Sequence, residues 1–196
     1  MRMADGIGAR PSADYHAVMS QSHQEMAAAS ARHEPVRCAV LTVSDTRNEH
    51  TDTGGRRVRE ILGEFGHESV ARAIVRDEPG AIRTTLADWL RRRDLHAIIT
   101  TGGTGIARRD TTIEVVRSFL THELEGFGEL FRMLSWHEVG SSAMLSRAVG
   151  GLATDADPAW LGVFLFAIPG SVNAVETAMR RLIGPELAHL VWERTR

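Results

Sequence analysis

The chain has 196 residues, 43% of them hydrophobic, with 23 basic and 25 acidic side chains and a formal net charge of -2. That length supports one sizeable core, and the charge balance supplies no global basic field for nonspecific nucleic-acid binding. Every basic residue is an arginine, which excludes a Walker A lysine and any Schiff-base or pyridoxal chemistry that depends on one.

Residues 1–34 are rich in Ala, Ser, Met, His and Gln without a sustained amphipathic period, and read as a flexible extension with at most a short helix at 16–32. Residues 35–196 read as the folded domain. Its first strand is Arg37-Cys-Ala-Val-Leu-Thr-Val43, ended by Ser44-Asp45. The lone cysteine of the chain, Cys38, lies in this apolar run and reads as buried; a disulfide within the chain and a CxxC site are excluded. Val58, Ile61, Leu62 and Phe65 give an amphipathic helix closed by Gly66. Val70–Val75 reads as a strand, Ile82, Leu86, Trp89 and Leu90 mark a helix, and Ala97–Thr100 is the next strand. The run Arg91-Arg92-Arg93 reads as a solvated helix end. Thr111-Thr-Ile-Glu114 has capping-box spacing and opens a helix with Ile113, Val116 and Phe119 inward. Phe127, Leu130, Phe131 and Leu134 form another apolar stripe, with Trp136 read as core, followed by a helix around Ser142–Ala148. Gly162–Ile168 reads as a buried strand ending in Pro169-Gly170-Ser171, before a helix carrying Val172, Val175 and Leu182 and a last one from Pro185 to Trp192. Alternating strands and helices predict a three-layer α/β fold, a mostly parallel sheet with helices on both faces.

The nine histidines form neither HxH nor HExxH, so a protein-built zinc site is not expected. No apolar run approaches the roughly 18 residues of a membrane span and no signal core is visible, so the expected location is cytoplasmic.

The most informative loop is Thr101-Gly-Gly-Thr-Gly-Ile-Ala-Arg-Arg-Asp110, directly after a strand. Residues without a Cβ let several backbone N–H groups face one concavity, so Gly102, Gly103, Thr104 and Gly105 read as a phosphate cradle. In open α/β sheets ligands sit beyond the carboxyl ends of the strands. Four predicted strand ends carry unusual chemistry: Ser44-Asp45, Asp77, the glycine loop and Pro169-Gly170-Ser171. Carboxylates beside phosphate are intelligible if Mg²⁺ bridges them, with Asp45, Asp52, Asp77 and Asp110 as candidates. Alternatives stand beside each: Asp110 and Asp77 as helix caps, Asp45 in an Asx-turn, Asp52 as a polar loop residue. Arg108 and Arg109 are suited to holding phosphate, or are solvated.

Ser44-Asp45, Asp77-Glu78, Thr101–Asp110, Gly126-Phe-Gly-Glu129 with Phe131-Arg132, Leu145-Ser-Arg147 and Ile168-Pro-Gly-Ser171 together resemble the MoaB/MogA family of molybdenum cofactor biosynthesis, from about Arg37 to Leu190. Ile168-Pro-Gly-Ser171 is similar to the MoaB branch. The resemblance implies a molybdopterin-binding domain whose catalytic members adenylylate molybdopterin with MgATP and release pyrophosphate. It implies Asp77 and Asp110 as the catalytic pair organising Mg²⁺ and the reacting phosphates. Gly102, Gly103, Thr104, Gly105 and Arg109 would hold phosphate, and Ser44, Asp45, Ser146, Arg147, Pro169, Gly170 and Ser171 would line the pterin or nucleotide pocket. It further implies a homotrimer or homohexamer and hand-over to a molybdenum-insertion protein. The alternative is a noncatalytic molybdopterin carrier or scaffold.

Overall fold

The computed structural model describes residues 35–154, 157 and 159–194; the extension expected over 1–34, with its short helix, lies outside the described residues. β1 (Arg37–Val43), β3 (Ala97–Thr101) and β6 (Val163–Ile168) are almost entirely buried strands, as continuous apolar runs in a sheet covered on both faces must be. β2 (Glu68–Val75), half exposed along its length, forms one edge. Among the described residues the sheet has six strands in the order β2-β1-β3-β6-β5-β4, with β5 (Val149–Ala153) and β4 (His122–Glu123) completing the other edge. β1 pairs in parallel with β2 and β3, and β3 with β6; β5 runs antiparallel to both β6 and β4.

Alternate strand residues feed two cores. Cys38, Val40, Ile99, Phe166 and Ile168 face α1 (Thr53–Glu64), α4 (Glu125–Val139), α5 (Val172–Ala178) and α6 (Gly184–Glu193). Ala39, Leu41, Ile98, Leu165 and Ala167 face α2 (Pro79–Leu90) and α3 (Thr112–Arg117). Within the first core Phe131 is fully buried, and the Phe127 and Phe166 rings meet edge to face at 5.2 Å. Burial also pushes the Cys38 thiol well above its ordinary pKa. Arg91 closes α2 and pairs with Asp88, while Arg92 and Arg37 hold Asp94.

Several local expectations are corrected. β4 and β5 are not among the expected strands, since His122-Glu123 and the segment around Gly150-Gly151 carry no continuous apolar run. Here the pair is needed for close approach: a Cβ on Gly150 would lie 2.5 Å from the Phe166 ring and one on Gly151 2.3 Å from the His122 carbonyl. The helix expected at Ser142–Ala148 is a short 3₁₀ segment, Gly140–Leu145. Trp136 is 58% exposed rather than core, and Leu130 is exposed, because α4 buries only its Phe127, Phe131 and Ser135 side. The single helix expected through Leu182 is interrupted by a π turn at Met179–Ile183, with Val172 exposed. Thr111 makes no capping bond, so the capping box is absent; Glu114 turns instead to Arg147 at 2.6 Å. Asp77 does not cap α2, whose N-cap is Glu78.

Candidate functional site

From β1 the chain crosses to β2 on one side, and β3 lies on the other, so the order reverses between β1 and β3. The crevice that such a reversal opens is the usual ligand position in open α/β sheets. An open cleft of about 420 Å³ lies there, lined by Thr42 to Ser44, Thr101 to Gly105 and Pro169-Gly170, the carboxyl ends of β1, β3 and β6. Hydrogen bonds tie the end of β3 to that of β6 and the end of β1 to that of β2. Gly102 N donates to the Ile168 carbonyl at 3.1 Å, Thr101 Oγ1 to the Pro169 carbonyl at 3.2 Å, and Ser44 N to the Val75 carbonyl at 2.8 Å.

Gly102 and Gly103 both have positive φ, 94° and 61°, the left-handed region that glycine enters without steric cost. The amides of Gly103, Thr104 and Gly105 donate to no group among the described residues, leaving three backbone donors on one turn. Asp77 packs against this turn: a Cβ on Gly103 would sit 2.8 and 2.9 Å from its two carboxylate oxygens and 2.3 Å from Thr112 Oγ1. The Asp77 amide donates to Asp45 Oδ1 at 3.1 Å, and Asp45 Oδ2 lies 3.8 Å from Arg109. Burial is the main cause of a raised Asp77 pKa. The Thr111 amide bonded to its carboxylate works against that, the nearby Asp110 and Asp45 carboxylates add to it, and Arg109 opposes it. One of its oxygens, Oδ1, is buried without a partner, as are the Thr111 and Thr112 hydroxyls.

Asp110 turns into its own loop. Its Oδ2 accepts from the Ala107 amide at 2.8 Å, and it caps no helix. Arg147 stands behind the loop, donating to the Thr104 carbonyl at 2.9 Å, the Asp110 carbonyl at 3.4 Å and Glu114 at 2.6 Å, and so holds Glu114 below the usual carboxylate range. Ser171 is the N-cap of α5, accepting from the Ala174 amide at 3.3 Å.

Of the residues singled out in the sequence, Ser44, Gly102, Gly103, Thr104, Gly105, Asp110, Ser146, Pro169 and Gly170 line the cleft together. Asp45, Asp77, Arg109, Arg147 and Ser171 lie around that lining, in the contacts just described. Sequence reasoning passed over Arg47, Gly54 and Ser142, which also line it. It took Asp52 as a candidate metal ligand or a polar loop residue. Asp52 is the N-cap of α1, accepting from the Gly55 amide at 2.8 Å and from Thr42 Oγ1 at 2.9 Å. Asp52 followed by Thr-Gly-Gly was the available signal, a capping residue ahead of a helix.

Fold and cleft define an α/β domain of the class that takes ligands across the carboxyl ends of its strands at a topological switch point. Residues 39–189 match the family described as the probable molybdopterin binding domain, and the chain belongs to that family. Among its relatives, molybdenum cofactor biosynthesis protein B of Staphylococcus carnosus (strain TM300) is 51% identical over 164 residues, 82% of this chain and 92% of that protein. A crystal structure of molybdenum cofactor biosynthesis protein B superposes with a TM-score of 0.76 at 45% identity, covering 83% of this chain and 98% of the other. The tungsten cofactor synthesizing protein MoaB from Pyrococcus furiosus gives 0.71 at 34% identity, covering 84% and 99%. The protein is thus a member of a molybdenum cofactor biosynthesis family, on its MoaB side. Among the described residues no helix is long and apolar enough to cross a membrane.

Proposed function

We propose that this protein binds molybdopterin in the cleft and adenylylates its terminal phosphate with MgATP, releasing pyrophosphate. The observation that carries the reading is the three-amide glycine turn with Asp77 packed against it and Asp110 on the same loop. Preorganised backbone donors stabilise phosphoryl charge without reorganising during the reaction. A terminal phosphate oxygen of molybdopterin attacks the α-phosphorus of ATP; the bond from that phosphorus to the bridging oxygen breaks, and pyrophosphate leaves with its electron pair. Both reactants are polyanions, so the chain's task is to bring them together and orient them. Asp77 and Asp110 would hold a divalent cation, whose charge would offset the repulsion between their carboxylates and the phosphates. The unpartnered, buried Oδ1 of Asp77 fits that role. When bound, Mg²⁺ supplies charge neutralisation of the transferred and leaving phosphates.

Ser44, Ser146, Pro169, Gly170 and Ser171 form the wall for the pterin or the nucleotide, and residues 35–196 constitute the binding domain. The exposed apolar side chains Met133, Trp136 and Met144, which line one surface groove, support self-association as a homotrimer or homohexamer, since contiguous apolar surface marks interaction sites. Hand-over to a molybdenum-insertion protein and a cytoplasmic location complete the reading. Pyrophosphate release from MgATP with and without molybdopterin, measured beside pterin binding, tests it. Pterin-dependent release is expected; tight pterin binding without release identifies a carrier or scaffold instead.

A further inference from the structure

We propose that Arg47, on the loop between β1 and α1, is the principal phosphate-binding side chain of the cleft. Of the other three arginines near the glycine loop, Arg108 and Arg109 lie exposed and outside the cleft lining, and Arg147 has prior commitments. Arg147 spends its guanidinium on two backbone carbonyls and Glu114, bracing the loop from behind. Arg109 is 75% exposed and its nearest carboxylate is Asp45, 3.8 Å away. Arg47 lines the cleft itself and has no carboxylate partner among the described residues. One of its nitrogens, Nη1, donates to the Thr51 carbonyl at 2.9 Å. A guanidinium has five N–H donors in a planar fork, so four remain for an anion, enough for bidentate capture.

The loop that carries Arg47 is held by its own bonds. Ser44 Oγ accepts from the amides of Thr46 and Arg47 at 3.3 and 3.2 Å. Asn48 Oδ1 accepts from the His50 and Thr51 amides, and Thr51 Oγ1 accepts from the Asn48 amide at 2.9 Å. A cation on a loop so constrained loses less freedom on binding than a long side chain on a mobile one. The charge also answers a need of the cleft. Its other charged lining groups are Asp52 and Asp110, both acidic, and its free backbone donors are neutral. A phosphate entering beside them requires a cation, and Arg47 supplies it from the β1 end.

The ligand class is a phosphate oxyanion, from either the β,γ-phosphates of a nucleotide or the terminal phosphate of a pterin. The inference rests on reading the cleft as a phosphate site and is independent of whether adenylyl transfer takes place. Isothermal titration of the full chain and its Arg47→Gln, Arg47→Lys and Arg83→Gln variants tests it, with inorganic pyrophosphate, MgATP and molybdopterin as separate probes over a range of salt concentrations. Arg83 bonds Ser118 and stacks on Phe119, so its variant controls for general loss of charge. Arg47→Gln is expected to weaken binding about 10- to 100-fold and to flatten its salt dependence, as loss of a charged hydrogen-bond donor does. Arg47→Lys restores part of both, and Arg83→Gln binds like the wild type. Losses confined to pyrophosphate and MgATP assign the nucleotide tail; losses confined to molybdopterin assign the pterin phosphate; either supports the proposal. Weaker pyrophosphate binding in Arg47→Gln, with no pterin-dependent turnover in the wild type, supports it while refuting adenylyl transfer. Wild-type affinity in Arg47→Gln, a loss with unchanged salt dependence, or a wild type that binds none of the probes overturns it.

Discussion

Replacing Gly103 by alanine tests the turn on which the functional reading depends. At φ 61° an L-residue is in the left-handed region, which costs about 1–2 kcal/mol. The added methyl would stand 2.3 Å from Thr112 Oγ1 and within 2.9 Å of both Asp77 oxygens. Those neighbours are short side chains in packed surroundings, so a further cost of about 1–3 kcal/mol for overpacking is expected. The sum, about 2–5 kcal/mol, corresponds to a fall in melting temperature of at least about 4 °C for a domain of this size. Gly63→Ala is the internal comparison. Gly63 is helical, within α1, and an added methyl there has no neighbour within 4 Å, so alanine is expected to raise stability by about 0.5–1 kcal/mol. Differential scanning calorimetry of the two variants reads the effects directly, with pterin and pyrophosphate binding measured on the same preparations. Gly103→Ala that melts with the wild type and binds its ligands normally would refute both the steric argument and the cradle.

Asp77→Asn should melt higher than the wild type at pH 7 and lose turnover. The sign follows from the raised folded-state pKa: the ionised carboxylate is disfavoured in the fold, so its stability contribution falls as pH rises from the unfolded value of 3.8 through the folded one. The amide carries no such charge and brings a donor toward the unpartnered hydroxyls; a lower melting temperature at pH 7 would contradict this. Asp94 runs the other way. Its hydrogen bonds with Arg92, assisted by Arg37, hold its pKa at about 2, so its contribution is present above 3.8 and lost as pH falls toward 2. Because the pair is well exposed, the contribution is under about 1 kcal/mol, and Asp94→Asn should flatten the acid limb of a melting-temperature profile by no more than that. On the proposed homo-oligomeric reading, Trp136→Glu should reduce the mass in sedimentation while leaving circular dichroism unchanged, since the residue is 58% exposed in the single chain; an unchanged mass would count against α4 as a self-association surface.

The sequence by itself determined the elements whose signals are local. Buried parallel strands are continuous apolar runs, and β1, β3 and β6 stand where Arg37–Val43, Ala97–Thr100 and Gly162–Ile168 placed them. The glycine loop was legible for the same reason, since consecutive residues without a Cβ declare a special backbone wherever they occur. The tertiary structure decided what depends on partners distant in the chain. Gly150-Gly151 is a strand because it pairs with Phe166 and Leu165 of β6 and with Glu123 of β4, neighbours so close that a Cβ has no room. Trp136 is exposed because α4 offers one side to the sheet, and its apolar stripe is wider than that side. Asp77 and Arg147 acquire their positions from Gly103 and Thr104, residues 26 and 43 places away in the chain. Asp52 and Arg47 came to the cleft from a stretch that composition marks only as a polar loop. A side chain's direction there is fixed by hydrogen bonds to β1, α1 and the loop backbone, and no periodicity encodes those bonds.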